Sequence, residues 1–146
     1  MRKTINVAGL DLIRGFEGLR LTAYPDPGTG DVPWTIGFGH TGADVHKGLT
    51  ITRDQADDLL FRDLEHFERF VEQEARDCSD NQFAALVSFA FNCGTTKLSK
   101  STLLKKHNAG DYTGAQAEFG RWNRAAGKIM AGLTRRRAAE AKLYGA

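Results

Sequence analysis

The sequence predicts a single α+β domain, with a small N-terminal sheet and a helical remainder. Its 146 residues are enough for one compact domain and too few for two independent enzyme domains. Glycine and proline are concentrated in residues 21–50, a pattern typical of short strands joined by turns. Helical hydrophobic periodicity dominates from residue 52 onward. Strands and helices are therefore segregated along the chain, as in α+β folds.

The first predicted helix begins after Asn6, which is a favourable N-cap, and ends at Gly18. The predicted apolar face of this helix consists of Val7, Leu10 and Ile13. Glu17 follows Ile13 by four residues, so we expect its carboxylate on the same face, at the C-terminal end of the helix.

The run Trp34-Thr35-Ile36 is the clearest strand within the turn-rich segment. Thr52-x-x-Gln55 then forms a capping box that begins a long helix. If this helix continues to Arg76 it is about 37 Å long, enough to join two lobes. Its predicted inward positions are Ala56, Leu60, Leu64, Phe67 and Val71.

Shorter helices are predicted in the rest of the chain. Ser79-x-x-Gln82 is a second capping box, and it precedes an apolar stripe of Phe83, Leu86, Val87 and Ala90. The further predicted segments are a helix from Ser101 to Gly110, a helix from Tyr112 to Arg121, an irregular stretch from Asn123 to Gly132 and a last helix from Leu133 to Leu143.

Composition and charge narrow the function classes. Hydrophobic residues at 41% and charged residues at 26% exclude disordered, collagenous and disulfide-rich chains. The net charge of +2 hides a balance of −6 in residues 1–96 and +8 in residues 97–146. Such a basic face can hold nucleic acid, anionic lipid or an acidic polymer, and charge alone does not choose among them. We expect no nucleic-acid partner, because aromatic residues are not interleaved for base stacking and no recognition motif is present.

Cysteine and histidine positions predict free thiols and no metal. Cys78 and Cys93 bracket the third predicted helix and lie roughly 20 Å apart along it, too far for a disulfide. The four histidines lack metal-ligand spacing, so neither a metal nor another cofactor is expected. No secretory segment or apolar run long enough to span a membrane is evident, so we expect the chain to fold in a cytoplasm.

The run Gly37-Phe38-Gly39-His40-Thr41-Gly42 matches the dinucleotide pattern Gly-x-Gly-x-x-Gly. That pattern binds a pyrophosphate only between a strand and a helix, and residues 43–50 have no helical periodicity. The glycines are therefore interpreted as turn residues. A nucleophilic hydrolase lacks support as well, because no Gly-x-Ser-x-Gly elbow is present.

Glu17 and Asp26 form a candidate pair of catalytic carboxyl groups. The negative end of the helix dipole and partial burial beside Ile13 both favour the protonated form of Glu17. Asp26, between two prolines in an irregular loop, is expected to stay ionised. A protonated acid and an ionised partner are what a glycosidase uses. As a pattern the pair is weak, because a chain with 18 acidic residues offers many such pairs.

A resemblance strengthens this hypothesis. Glu17, Asp26 and the run Trp34 to Thr41 resemble the Glu, Asp and Thr signature of the phage-type lysozymes, the glycoside hydrolase family 24 muramidases of tailed phages. Further segments resemble family landmarks in the expected order: Ser88–Gly94, Ser101–Leu104, Asn108–Tyr112, Phe119–Trp122 and Gly132–Glu140. The resemblance covers nearly the whole chain.

The resemblance implies a lysozyme-like fold with a cleft between two lobes, near residues 12–60 and 1–11 plus 61–146. It implies the catalytic residues Glu17, Asp26 and Thr35. Eight residues separate Asp26 from Thr35 where many members have five, so Asp31 is a rival for the acidic role. We prefer Asp26 because it keeps the family spacing from Glu17.

The predicted substrate-binding residues are Gly37, His40, Phe91 and Asn92. Three of them have a structural alternative: Gly37 as a turn glycine, His40 as a hydrogen-bonded histidine and Asn92 as a helix-end cap. Arg135 to Arg137 are interpreted as a charged helix end, with contact to anionic cell-wall peptides or lipids as the alternative.

The implied reaction is hydrolysis of the β-1,4 bond between N-acetylmuramic acid and N-acetylglucosamine in peptidoglycan. The implied protein is a monomeric endolysin without stable membrane insertion, held in the host cytoplasm until a holin admits it to the wall. Two alternatives stay open, a lytic transglycosylase and a non-catalytic module that binds peptidoglycan.

Overall fold

The computed structural model describes residues 2–146 and has the α+β composition that the sequence predicts. The helices are α1 (Val7–Glu17), α2 (Arg53–Glu74), α3 (Asp80–Cys93), α4 (Thr95–Lys100), α5 (Thr102–Asn108), α6 (Tyr112–Glu118) and α7 (Ala131–Tyr144). The strands are β1 (Arg20–Tyr24), β2 (Thr35–Gly37), β3 (His40–Thr41), β4 (Arg124–Ala125) and β5 (Lys128–Ile129), and a 3₁₀ turn covers Phe119–Arg121.

The chain divides into two compact units. The first consists of the described part of Met1–Ile13 together with His66–Ala146, and the second is Arg14–Glu65. Helix α2 begins in the second unit and ends in the first, because it covers Arg53–Glu74.

The second unit contains an antiparallel sheet with the strand order β1-β2-β3. Tyr24 pairs with Thr35, and Thr35 pairs with Thr41 on the other side. The small core of this unit consists of Ala23, Ile36 and Val45, packed against Trp34, Leu49, Ile51 and Leu59. Alternation along β2 therefore turns Ile36 into the core and Thr35 to the opposite face.

Both predicted capping boxes are confirmed. The Gln55 N–H donates to Thr52 Oγ1 at 3.1 Å, and the Thr52 N–H donates to Gln55 Oε1 at 2.8 Å. Ser79 and Gln82 make the same reciprocal pair at the start of α3. These bonds satisfy backbone donors that have no partner within the helix, so the local sequence sets where α2 and α3 begin.

The first unit is built around α3, whose residues Phe83 to Ala90 are all buried. A helix that is apolar all round requires neighbours on every side. Helix α7 packs against it, and Phe89 meets the rings of Phe119 and Trp122 edge to face.

The predicted apolar face of α1 is wrong in part. Val7 is 70% exposed, whereas Ile5, Gly9 and Ile13 are buried and follow one another at intervals of four. Gly9 allows this face to pack closely, because a Cβ there would lie 2.8 Å from the Cβ of Ala84. The N-cap prediction holds, since Asn6 Oδ1 accepts from the Gly9 N–H at 3.0 Å.

Two predictions for the C-terminal part also need correction. Helix α4 was not predicted, and the stretch expected to be irregular contains the β4-β5 hairpin. Two-residue strands are too short to show alternation. The turn between them places Ala126 at φ 50° and Gly127 at φ 78°, the positive values that a two-residue type I′ turn requires.

Among the helices of residues 2–146, none combines the length and the apolar character needed to cross a bilayer.

Candidate active site

Glu17 is the last residue of α1 and is half-buried. Gly18 ends the helix in the left-handed conformation, at φ 73°, and its N–H donates to the Arg14 carbonyl at 3.0 Å. Arg14 donates from Nε and Nη2 to Asp57 Oδ1 at 3.1 and 2.9 Å, which joins the last turn of α1 to α2. The position of the Glu17 backbone is thus fixed by a local hydrogen bond at Gly18 and by the contact of Arg14 with α2.

The turn between β2 and β3 lies directly against the Glu17 carboxyl group. Gly39 has φ 80°, and a Cβ built on it would lie 2.7 Å from Oε1 of Glu17. Only the missing side chain allows this approach. Gly39 therefore has a defined role beside the candidate acid, because its backbone approaches the carboxyl group closely.

Asp26 lies two residues after β1, in the loop that leads to β2. Its Oδ2 accepts from the N–H groups of Gly28 and Thr29, both at 3.1 Å. The other oxygen, Oδ1, accepts no hydrogen bond from any of residues 2–146. One carboxylate oxygen thus shapes the loop, while the second is available to a ligand or water.

Asp31, the alternative catalytic acid, makes different hydrogen bonds from Asp26. Its Oδ1 accepts from the Trp34 indole N–H at 3.1 Å, and its backbone carbonyl accepts from the Asp26 N–H at 2.9 Å. Asp31 is exposed, whereas Asp26 is half-buried. These contacts give Asp31 a part in folding the longer loop around Asp26.

Thr35 opens β2 and pairs with Tyr24, two residues before Asp26. The side chain of Thr35 is on the face opposite the buried Ile36. Gly37, at the end of the strand, is buried with φ 67°, and a Cβ there would lie 3.5 Å from that of Ala56 on α2. The structure thus gives Gly37 a packing role, and substrate contact stays a prediction.

His40 is held by two carboxylates. Its Nδ1 lies 2.8 Å from Asp63 Oδ2 on α2, and its Nε2 lies 3.0 Å from Asp44 Oδ2. Burial alone lowers the pKa of His40, but the hydrogen bonds and charges of Asp63 and Asp44 outweigh it and raise the pKa above 6.5. Both ring nitrogens are therefore engaged within the second unit, which favours the structural interpretation of His40.

Phe91 and Asn92 lie in the first unit, near the C-terminal end of α3. Phe91 packs edge to face on Phe67, with ring centroids 5.4 Å apart. Asn92 is exposed, and its Oδ1 accepts from Nη2 of Arg137 at 2.8 Å. Both side chains have structural contacts, and their binding to substrate stays a prediction.

The interpretation of Arg135 to Arg137 as a charged helix end is wrong for two of the three. Arg136 and Arg137 are buried, and only Arg135 is exposed. Arg137 Nε lies 2.6 Å from Glu140 Oε1, and its Nη1 contacts the Cys93 thiol. The i, i+3 spacing of Arg137 and Glu140 places opposite charges together, and α3 covers them.

Sequence reasoning missed the partners of these side chains. Asp63 is 23 residues from His40, so no local pattern connects them. Glu140 also accepts from Ser88 Oγ at 2.6 Å, across 52 residues. For Arg136 and Arg137 a signal existed, because an acidic residue three or four positions along a helix is a common ion partner.

Residues 2–146 contain no group of three or more His, Cys, Asp or Glu side chains placed to hold a metal ion.

Comparisons with known proteins agree with this fold. An endolysin of Bacillus phage B103 is 43% identical over 141 residues, which cover 96% of this chain and 53% of that protein. The endolysin of Acyrthosiphon pisum secondary endosymbiont phage 1 is 41% identical, over 96% of this chain and 97% of its own. The solved endolysin of Escherichia coli O157:H7 phage FAHEc1 has a TM-score of 0.90 at 38% identity, covering 99% of this chain and 94% of that one.

The fold is therefore lysozyme-like, which confirms the predicted class. Residues 14–140 match the family model described as phage lysozyme, and the chain belongs to the phage lysozyme family. It spans about half the length, 53%, of the B103 phage endolysin.

Proposed function

We propose that this chain is the catalytic domain of an endolysin that hydrolyses the β-1,4 bond between N-acetylmuramic acid and N-acetylglucosamine in peptidoglycan. The observation that supports it best is the close approach of Gly39 to the Glu17 carboxyl group, within a unit that also contains Asp26 and Thr35. Membership of the phage lysozyme family supports the same class of substrate.

In this mechanism Glu17 carries a proton and donates it to the glycosidic oxygen as that bond breaks. Asp26 accepts a proton from a water molecule, which attacks the anomeric carbon from the opposite face. Thr35 holds this water through its hydroxyl group. Such an inverting arrangement needs about 6.5–9.5 Å between the two carboxyl groups, to leave room for the water. The product carries a new reducing end.

Asp26 suits the role of base because one of its oxygens is already fixed by the loop. Two backbone N–H groups donate to Oδ2, and Oδ1 is left to accept a proton. The Asp31 carboxylate accepts a hydrogen bond from the Trp34 indole, so in this mechanism Asp31 supports the loop.

Glu17→Gln tests the acid by loss of turbidity of purified cell walls. General acid help is commonly about 10²–10⁴-fold, so we expect lysis to fall by at least the lower figure while circular dichroism stays unchanged. Near-normal lysis by this variant would rule out Glu17.

Asp26→Asn and Asp31→Asn form a matched pair in the same loop. We expect the first to abolish lysis and the second to retain most of it. The opposite ranking would transfer the catalytic role to Asp31.

Mass spectrometry of the released fragments separates the alternatives. Hydrolysis adds a water to each cleaved bond, whereas a lytic transglycosylase releases an anhydro sugar. Binding to sacculi without release of fragments would indicate a non-catalytic wall-binding module.

The remaining proposals concern the whole protein. We propose that it acts as a monomer, that residues 1–146 form one catalytic domain, and that it stays in the host cytoplasm until a holin lesion admits it to the wall. Size-exclusion chromatography with light scattering checks the first, and fractionation of infected cells with and without a holin checks the last.

A further inference from the structure

The segment from Phe119 to Ala139 contains six arginines and lysines and no acidic residue. Nine consecutive residues of this segment, 124–132, are exposed, and they include the β4-β5 hairpin. Two large apolar side chains protrude there, since Ile129 is 60% exposed and Met130 is 45% exposed. We refer to Arg124–Met130 as the docking hairpin.

The acidic residues nearby are all used inside the first unit. Residues 97–146 contain three of them. Asp111 caps α6 through the Gly114 N–H at 2.9 Å, Glu118 is buried 2.7 Å from Arg121 Nε, and Glu140 is buried against Arg137. Within residues 2–146, the basic side chains that form no ion pair include Arg124, Lys128 and Arg135.

A cavity of about 450 Å³ adjoins the docking hairpin, within the first unit. Arg124, Ala125 and Ala126 form one wall, and Lys97 and Trp122 are among the other lining residues. No acidic side chain lines it. Its volume lies in the range of small-ligand sites, and its charge suits an anionic group.

We propose that the docking hairpin binds reversibly to the surface of an anionic lipid bilayer. Lys128, Arg124 and Arg135 face the lipid phosphates, and Ile129 and Met130 enter the headgroup region. Basic residues flanking exposed apolar ones are the combination by which proteins lie on membrane surfaces without crossing them. This inference does not depend on the proposed lytic activity.

The apolar side chains decide between lipid and other anions. A nucleic acid or an acidic wall peptide neutralises Lys128 and Arg124 equally well, but it leaves Ile129 and Met130 in water. A bilayer removes both side chains from water as it neutralises the charges, and that burial is favourable. An anionic bilayer is therefore the partner that contacts both the basic and the apolar side chains of the docking hairpin.

Co-sedimentation with vesicles tests the proposal. We expect the chain to bind phosphatidylcholine vesicles that contain phosphatidylglycerol, and not pure phosphatidylcholine, with binding that weakens as salt is added. Vesicles contain no peptidoglycan, so lytic activity plays no part in the measurement.

Two variants test the basic and the apolar contributions to vesicle binding separately. Lys128→Ala should lower the partition coefficient about fivefold, which corresponds to about 1 kcal/mol per basic residue near an anionic surface. Ile129→Asn combined with Met130→Gln should lower it about tenfold or more. All three positions are exposed, so the fold should be unaffected.

Each variant has a matched control. Lys105→Ala makes the same change in net charge on α5, and Val32→Asn removes an apolar side chain that is 67% exposed in the other unit. Neither should change binding. Equal losses from Lys105→Ala and Lys128→Ala would reduce the effect to net charge and overturn the docking site.

Other outcomes overturn the proposal as well. If the variant with Ile129→Asn and Met130→Gln binds vesicles as strongly as the wild type, these side chains do not contact the bilayer and the proposal fails. Displacement of the chain from vesicles by a soluble muramyl peptide, lost in the Lys97→Ala variant, would assign the cavity to the wall peptide instead.

Discussion

Gly39→Ala offers the sharpest test of the candidate acid, because one methyl group acts on Glu17 without altering its chemistry. The new Cβ would lie 2.7 Å from Oε1, closer than carbon and oxygen tolerate, so the carboxyl group must move. Displacement of a catalytic group by about 1 Å costs on the order of 10² in rate. The left-handed backbone adds a stability cost of about 1–2 kcal/mol for any L side chain.

Gly48→Ala separates the two effects. Gly48 has φ 88°, and a Cβ there meets no atom within 4 Å, so this variant carries the backbone cost alone. We expect both variants to lose about 1–2 kcal/mol of unfolding free energy in urea. Only Gly39→Ala should lose about 10²-fold in the initial rate of cell-wall clearing.

Comparing the clearing rates of the Gly39→Ala and Gly48→Ala variants tests whether the position of Glu17 matters for lysis. If Gly39→Ala clears walls as fast as Gly48→Ala, the position of Glu17 is irrelevant to lysis and the reasoning fails. A double variant with Glu17→Gln adds a second check. Gly39→Ala should cause no further loss once the acid is gone, because the two changes act on one group.

Three further predictions concern stability. Asp63→Asn should lower the unfolding free energy by about 1–2 kcal/mol at pH 5, because Asp63 no longer offers a charge to the protonated His40 ring. The pKa of His40 is raised, and the stabilising charge on the ring is present only below that pKa. The loss of stability should therefore shrink as pH rises above 6.5 through this pKa. Glu140→Gln should cost about 3–5 kcal/mol in chemical denaturation, because it leaves the guanidinium of Arg137 buried without its counter-charge. Ala126→Gly should raise the free energy of unfolding by up to about 1 kcal/mol, and with it the melting temperature, because glycine tolerates φ 50° and alanine does not.

Specific results would contradict the predictions for Asp63 and Ala126, and the prediction for Glu140 has a matched control. A loss in Asp63→Asn that is constant from pH 5 to 9 would show that His40 does not titrate through this contact. Arg135→Gln serves as the exposed control for Glu140→Gln and should change stability by less than about 0.5 kcal/mol. A lower melting temperature for Ala126→Gly would mean that entropy of the unfolded chain outweighs backbone strain.

The features that could be predicted are those encoded by neighbours in sequence. The capping boxes at Thr52 and Ser79 are confirmed, because each rests on bonds across three residues. The end of α1 at Gly18 follows from the conformational freedom of one glycine. Periodicity found most of the buried side of α2: four of the five predicted inward positions are buried, and Phe67 is half-buried.

What could not be predicted depends on contacts between distant residues. Val7 looked like part of an apolar face, but Gly9 and Ala84 decide which side of α1 packs. The burial of Arg137 follows from α3 packing against α7, and charge alone suggested the surface. The partner of His40 lies on another element, so its chemistry was open until the sheet and α2 were placed.

The candidate site illustrates why a pattern of catalytic residue types is weak evidence and its backbone context is stronger. Glu17 and Asp26 are two of 18 acidic residues, and nothing in their chemistry singles them out. What distinguishes Glu17 is that a glycine in a left-handed conformation lies against its carboxyl group, at a position where any other residue would clash and be strained. What distinguishes Asp26 is that two backbone N–H groups hold one oxygen and leave the other available. Backbone geometry of this kind carries a cost in stability, and a role in positioning the two carboxyl groups is the explanation that both features share.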